Sequence, residues 1–238
     1  MALNWSGNQY LLVDDADSLD ITGDITALAW VKITDTDAYR TILSKPYAGT
    51  YSEYNYQFAI HPDEKIFFFH RNSSNQYNTF TSTGIITTGI WQLIGYSISA
   101  NVLTFYIGGQ STGGGGTLTY ARSANTNPLC VGVHYLNGNN PNTPSYTQVF
   151  VGEMGDVRLY NRALSADEWK IIYEARGSDN IVNGLVMRLL MNEKVEGSTP
   201  SGNYSVIDIS NEGNHATPKV APTYRAELMK LVKPKIVL

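Results

Sequence analysis

The sequence predicts an all-β protein, a two-sheet antiparallel sandwich with one short helix and a C-terminal extension. Three observations predict this fold class. Short runs of alternating apolar residues recur over roughly the first 160 residues, and turn-forming pairs such as Pro62-Asp63 separate them. The 16 tyrosines and 21 glycines suit strands that are joined by turns. One amphipathic stretch, residues 165–176, has the period of a helix.

Four runs show the strand pattern most clearly. Residues 25–31 are apolar on both faces, which predicts a central strand that is packed on both sides. Residues 65–70 and 91–98 are further strand candidates, and residues 102–107 alternate cleanly. Many short strands with turns between them are typical of a sandwich or a barrel.

The single helix is predicted from its start and stop signals. Ser165 and Glu168 form a capping box, in which each side chain can satisfy a backbone amide of the first turn. Leu164, just before the cap, can contact Trp169 as a hydrophobic staple. Gly177 stands where a left-handed residue would end the helix.

Length, charge and hydropathy exclude several classes of protein. A chain of 238 residues predicts one β domain plus a tail. The net charge of −4 leaves no basic excess for phosphates, so we expect no nucleic-acid partner. No apolar run approaches the length of a membrane span, and we expect neither a membrane partner nor a secretory signal peptide. The single cysteine, Cys130, is expected to be a small buried residue.

Several sequence blocks match a known family. The resemblance is to laminin G-like domains of the concanavalin A-like lectin/glucanase superfamily, and it is carried by residues 2–7, 10–13, 18–26, 29–32, 41–45 and 152–165. The resemblance implies a jelly-roll sandwich over residues 1–176, in which the first and last blocks are neighbouring strands. It also implies a binding module, as found in phage and bacterial surface proteins.

The C-terminal extension, residues 177–238, carries a second resemblance. Residues 184–186, 206–211 and 213–217 look like the lead-in that normally precedes the first block of the family. Either the extension completes the sandwich in permuted order, or it pairs with a neighbouring subunit as an assembly arm. The apolar residues of such an arm are Leu228, Met229, Leu231 and Val232.

Calcium is the one candidate cofactor, and none is expected to be required. The resemblance implies carboxylates near the opening strands and in the final block, for which this chain offers Asp20 and Asp156. The relatives carry two adjacent acids in the final block, whereas here Gly155 precedes Asp156. The alternative is that both aspartates are solvated loop carboxylates.

The acidic residues do not predict an enzyme. Glucanases of this fold carry acids at every second position of one strand, and glycoside hydrolysis needs two carboxylates that face each other. Glu153 and Asp156 are three residues apart, so a regular strand would point them to opposite faces. No Gly-x-Ser-x-Gly motif is present either.

Two tyrosine- and amide-rich stretches, residues 46–56 and 134–146, are the candidate carbohydrate site. Sugars are held by stacking on rings and by hydrogen bonds to planar amides. The alternative is a solvated turn region whose tyrosines cover the edge of the core. A third polar cluster, residues 70–72, is either part of a site or a strand end. The predicted carbohydrate-binding residues are Tyr51, Tyr54, Tyr56, Tyr135, Asn137, Asn139, Asn140 and Tyr146.

We therefore expect a non-catalytic structural or adhesion module on a virion or an extracellular surface. The specific versions are a phage or virus capsid-decoration, fibre or tail protein with lectin-like capability. Its expected partners are a glycan or another virion or surface protein, and a homo-oligomer is expected. The alternatives are a monomeric bacterial carbohydrate-binding module and, third, a glycoside hydrolase.

Overall fold

Two antiparallel β-sheets form the protein, in a computed structural model that describes residues 2–46, 54–134 and 148–225. The predicted sandwich and its single short helix are confirmed within this part of the chain. The elements in chain order are β1 (Ala2–Ser6), β2 (Tyr10–Val13), β3 (Ile25–Ile33), β4 (Arg40–Pro46), β5 (Tyr54–His61), β6 (Lys65–Arg71), β7 (Tyr77–Ile85), β8 (Gln92–Ser99), β9 (Val102–Ile107), β10 (Gln110–Ser111), β11 (Gly116–Thr117), β12 (Leu129–Val131), β13 (Val151–Tyr160), α1 (Ala166–Ala175), β14 (Leu185–Leu189), β15 (Ala216–Val220) and β16 (Thr223–Arg225).

The two sheets have simple strand orders. The nine-stranded sheet runs β10-β9-β8-β3-β13-β1-β16, with β11 also paired to β9 and β14 also paired to β13. The seven-stranded sheet runs β15-β2-β12-β4-β5-β6-β7. Strand β1 pairs with β13, so the first and last blocks of the matched region are neighbours, as expected. Among the described residues, no helix is both long and apolar enough to span a bilayer.

Apolar side chains from both sheets meet in one interior. The predicted central strand β3 alternates, and Ala29 and Val31 point into this interior while Trp30 points to the other side. Every residue of β3 except Lys32 is buried, because the strand is covered on both faces as predicted.

Helix α1 covers the outer face of the nine-stranded sheet. The predicted capping box is present, with the Glu168 amide donating to Ser165 Oγ at 3.2 Å and the Ser165 amide donating to Glu168 Oε2 at 2.9 Å. Trp169 stacks on Tyr106 with ring centroids 4.4 Å apart, and its Nε1 donates to Ser97 Oγ. The helix ends one residue earlier than predicted, because Arg176 already has the left-handed conformation.

The segment that follows α1 covers the outer face of β13, and this corrects the expectation that side chains on that face are exposed. Simple alternation places Val157 and Leu159 in the core and Arg158 and Tyr160 in solvent. Arg158 and Tyr160 do lie on the outer face, but both are fully buried. Their polar atoms contact the segment after α1: Arg158 donates to both oxygens of Asp179.

The C-terminal extension adds strands to both sheets of its own chain. Strand β14 pairs with β13, β15 pairs with β2, and β16 pairs with β1. The extension, as far as it is described up to Arg225, therefore pairs with strands of its own chain. The predicted arm residues Leu228, Met229, Leu231 and Val232 lie outside the described residues.

Candidate functional site

The outer face of the seven-stranded sheet carries a cavity of about 320 Å³. This volume falls within the range of small-ligand sites, roughly 300–1,000 Å³. Its described lining combines four aromatic residues with four polar ones, and none of these is an aspartate or a glutamate. The lining residues are Tyr39, Tyr54, Phe67, Phe69, Gln57, Arg71, His134 and Gln148.

Strand β6 supplies the floor of the cavity by alternation. Phe68 points into the core and is fully buried, while Phe67, Phe69 and Arg71 occupy the outer face and are half-buried. Phe69 is opposite Gln57 of β5 in the sheet register. The three consecutive phenylalanines of β6 thus place side chains on both faces of the strand.

The rings lie side by side across the sheet. Phe67 and Phe69 are nearly parallel, with an interplanar angle of 7° and centroids 6.4 Å apart. Tyr39 contacts Phe67 edge-on, with ring centroids 5.0 Å apart, and Tyr54 contacts Phe69 edge-on, with ring centroids 5.6 Å apart. The result is a continuous aromatic surface that the described part of the chain leaves partly open to solvent.

Tyr54 and His134 form a buried polar contact in the lining of the cavity. The Tyr54 hydroxyl lies 2.9 Å from His134 Nε2, and the two rings stack. Burial lowers the pKa of His134 to about 4, so the ring is neutral at neutral pH. His134 Nδ1 is buried without a hydrogen-bond partner.

Two glutamine side chains add planar amides. Gln57 Nε2 donates to Gln148 Oε1 at 2.9 Å and lies 3.3 Å from Thr41 Oγ1, its second acceptor. Gln57 is almost fully buried, so its amide is held in one orientation. Amides fixed in this way present a set of donors and acceptors before any ligand arrives.

Arg71 is the one fully charged group among the described lining residues at neutral pH. Its guanidinium lies 5.6 Å from the centroid of the Phe69 ring and 5.5 Å from that of Tyr77. Such ring contacts hold the guanidinium by cation–π attraction. Its Nε is buried and has no hydrogen-bond partner.

The predicted carbohydrate residues are distributed unevenly around this cavity. Tyr54 lines it, whereas Tyr56 is fully buried in the core and donates its hydroxyl to the Leu19 carbonyl. The structure thus assigns Tyr56 to the interior and not to a ligand. The other predicted residues, Tyr51, Tyr135, Asn137, Asn139, Asn140 and Tyr146, lie outside the described residues.

The two predicted stretches are nevertheless adjacent in sequence to the cavity. Residues 47–53 directly precede Tyr54, and residues 135–147 connect His134 to Gln148. Of the eight lining residues, Tyr54 and His134 therefore belong to the stretches 46–56 and 134–146 whose composition indicated sugar binding, and Gln148 lies two residues beyond the second.

The residues that sequence reasoning missed are Tyr39, Gln57, Phe67, Phe69 and Gln148, which come from separate parts of the chain. Only the spacing of Phe67, Phe69 and Arg71, at every second position of one strand, could have indicated a shared surface. Arg71 was placed in a polar cluster at a strand end, and it is the last residue of β6.

The predicted calcium ligands have other partners. Asp20 lies 3.4 Å from the ammonium of Lys45, which is fully buried and also contacts Asp15. The same ammonium donates to the carbonyls of Asn127 at 2.7 Å and Asn125 at 3.2 Å. A lysine side chain thus already supplies the positive charge among these oxygens.

Asp156 is part of a buried ion network. Its two oxygens accept hydrogen bonds from Arg158 at 2.9 and 2.6 Å and from Arg188 at 2.8 and 3.2 Å. A cation at Asp156 would have to displace these guanidinium groups. The described residues contain no cluster of three or more metal-ligating side chains, so they do not fit the calcium site that the resemblance implies.

A family model of the concanavalin A-like lectin/glucanases superfamily matches residues 6–168. No curated protein matches the chain by sequence. Among solved structures, a proposed carbohydrate-binding protein from Bacteroides ovatus is similar, with a TM-score of 0.67 and 16% identity over 95% of this chain. The present chain spans 60% of the length of that protein.

Two smaller modules with bound sugars are also similar. One is the CBM40 of the Ruminococcus gnavus IT-sialidase bound to α2,3 sialyllactose, with a TM-score of 0.58 and 12% identity over 72% of this chain and 96% of that one. The other is domain 4 of AbnA, an extracellular arabinanase from Geobacillus stearothermophilus, in complex with arabinotriose. It has a TM-score of 0.54 and 18% identity over 71% of this chain and 74% of that one. At such identities the likeness shows a shared fold.

Proposed function

The chain belongs to the concanavalin A-like lectin/glucanases superfamily, and we propose that it is a non-catalytic carbohydrate-binding module. The ligand would occupy the cavity on the outer face of the seven-stranded sheet. The observation that carries this proposal is that the cavity combines partly exposed aromatic rings with amide side chains held in place.

The chemistry of the cavity suits a sugar. Apolar faces of a sugar ring can pack on the exposed parts of Phe67 and Phe69, which gains hydrophobic contact. Sugar hydroxyls need both donors and acceptors, and the amides of Gln57 and Gln148 provide them. Because Phe67, Phe69 and Gln57 stand on strands β5 and β6, little ordering of these side chains is required on binding.

The similar structures support this proposal. The CBM40 of the sialidase is bound to sialyllactose, and domain 4 of the arabinanase is in complex with arabinotriose. Those ligands belong to those proteins, and the shared feature is the sandwich that presents them.

The lining argues against glycoside hydrolysis in this cavity. Canonical glycosidases need a pair of carboxylates about 5–10 Å apart, one on each side of the scissile bond. The described lining residues include no carboxylate at all. Glu153 is the candidate acid for a hydrolase. It lies on the other sheet, in β13, and its Oε1 is 3.2 Å from the Lys32 ammonium.

The test is a glycan array followed by calorimetry with the full chain. We expect a saturable glycan ligand whose affinity falls at least about tenfold in Phe69→Ala, since a stacking ring contributes roughly 1–3 kcal/mol. The matched control is Tyr204→Ala, an exposed tyrosine that contacts Asp14 outside the cavity. Absence of any glycan ligand, or equal loss in both variants, would contradict the proposal.

A finer version of the proposal places the module on a virion or another extracellular surface, as a homo-oligomer. Its support is the sequence of residues 226–238, in which apolar residues alternate with lysines. Apolar residues of this kind gain from burial against a partner. Mass spectrometry of purified particles tests the location. Light scattering of the full chain and of a chain that ends at Arg225 tests the assembly role, which requires a larger oligomer in the full chain.

A further inference from the structure

We propose that the cavity selects glycans that carry a carboxylate, and that Arg71 binds this group. The inference rests on the proposed function and deepens it by naming the class of ligand. Uronic acids and sialic acids are the sugars with this chemistry.

The guanidinium of Arg71 differs from other arginines of the protein in its partners. Within the part of the chain that the structure describes, Arg71 has ring contacts but no ion pair and no side-chain hydrogen bond. Four other arginines pair with a carboxylate of the protein itself: Arg40, Arg158, Arg162 and Arg188.

An unpaired donor of this kind is costly in the free protein. Arg71 Nε is buried, so it loses water without gaining a protein acceptor. The two terminal nitrogens of the guanidinium are not among the buried atoms, and no acceptor for them is found within the described residues, so a ligand oxygen can accept from them. The gain is larger for a charged acceptor, because charge-assisted hydrogen bonds are the stronger ones.

The surroundings of Arg71 hold it ready for an anion. Its centre lies 5.6 Å from the Phe69 centroid and 5.5 Å from the Tyr77 centroid, so aromatic rings limit its movement. A guanidinium that packs on rings keeps its N–H donors at its edge, where a planar carboxylate can accept two parallel hydrogen bonds.

No charge in the described lining competes for this role. His134 is neutral at neutral pH, since burial lowers its pKa to about 4, and the lining described here has no acid. The net charge of the described lining residues is therefore positive, although the whole chain carries −4. A neutral sugar would leave that charge uncompensated, whereas an acidic sugar neutralises it.

The experiment compares acidic glycans with their neutral counterparts on the full chain. An array carries uronic-acid oligosaccharides beside the same oligosaccharides with reduced carboxyls, sialyllactose beside lactose, and sulfated oligosaccharides beside desulfated ones. Calorimetry then measures the best pair. We expect the wild type to prefer the carboxylated member by about tenfold to a hundredfold, the range of a charge-assisted hydrogen bond.

Three variants test whether Arg71 causes the preference for carboxylated sugars. Arg71→Gln should bring the ratio of the affinities for the acidic and the neutral member close to one, and Arg71→Lys should retain part of the preference, because it keeps the charge but not the two-donor edge. Lys170→Gln is the control for net charge, since Lys170 is exposed on α1 above the other sheet. Circular dichroism confirms that each variant folds.

The outcomes separate this inference from the proposed function. Equal binding of acidic and neutral sugars, unchanged in Arg71→Gln, would overturn carboxylate selection and leave sugar binding intact. A preference for sulfated over carboxylated sugars would also overturn it, because the ligand would then be a sulfate ester. Failure of every glycan to bind would remove both proposals. Loss of the preference in Arg71→Gln but not in Lys170→Gln would support the inference.

Discussion

The hydroxyl of Tyr54 lies 2.9 Å from Nε2 of His134, and their rings stack with centroids 4.8 Å apart. Tyr54 begins β5 and His134 follows β12, so the contact joins two strands that are not neighbours in the seven-stranded sheet. It fixes both residues at the wall of the cavity, next to the two stretches whose sequence indicated sugar binding. Burial lowers the pKa of the His134 imidazole to about 4, so acid charges a ring at this contact.

Acidification should destabilise the protein through His134 and His70. Burial lowers the pKa of each to about 4, against 6.5 for an ordinary histidine. Between these two values the unfolded chain binds more protons than the folded one, so the free energy of unfolding falls as the pH falls. The largest slope is about 1.4 kcal/mol per pH unit for each histidine.

Urea unfolding measured at several pH values between 4 and 6.5 tests this expectation. His134→Gln and His70→Gln should each flatten the dependence, because glutamine does not titrate. A slope that is the same in the wild type and in both variants would show that other groups cause it.

Gly95→Ala should destabilise the sandwich by about 3 kcal/mol or more. A Cβ at Gly95 would lie 2.2 Å from the Ala27 carbonyl oxygen and 2.7 Å from the Trp169 ring, so β8, β3 or α1 would have to move. Thermal unfolding measures the loss. Gly23→Ala is the control, since a Cβ there meets nothing within 4 Å, and an equal loss in both variants would contradict the argument.

Lys45→Met should destabilise the protein by about 3 kcal/mol, because breaking a buried ion pair leaves its partners uncompensated. The Lys45 ammonium is fully buried and contacts Asp15, Asp20 and two carbonyls, all of which lose their donor in the variant. Lys170→Met removes an exposed lysine and should change the free energy of unfolding little. Equal denaturation midpoints for the two variants would argue against a structural role of Lys45.

Calcium should not change the thermal stability of the wild type. Oδ1 of Asp20 is engaged by Lys45, and both oxygens of Asp156 are engaged by arginines, so a cation at either residue would compete with a positively charged side chain. Melting curves in calcium chloride and in a chelator should coincide. An upward shift of Tm with calcium concentration would reveal a site that involves other residues.

Local patterns predicted the fold because the deciding signals lie within a few residues of each other. The capping box of Ser165 and Glu168 and the alternation of β3 depend on neighbours in sequence, and both are present. The burial of Arg158 could not be predicted in this way. It depends on a hydrogen bond to Asp179, which lies in the segment after α1, and the alternation of residues along β13 contains no information about that segment.

The cavity was harder to predict than the fold for a similar reason. Its residues come from β5, β6 and three connecting segments, and they meet only when the sheet forms. A register shift between Tyr54 and Gln57 places both at the cavity although they are three residues apart, and Tyr56 between them points into the core. Composition alone assigned Tyr54 and Tyr56 to the same surface.

The pairing of β1 with β16 has a practical consequence. Ala2 is opposite Arg225 in the register, so the first described residue and the last lie on adjacent strands. Adjacent strands are about 4.8 Å apart, and a linker of a few residues could close the chain into a ring. The sandwich could therefore be inserted into a loop of another protein, or reopened at a distant turn, with the cavity on its seven-stranded sheet undisturbed.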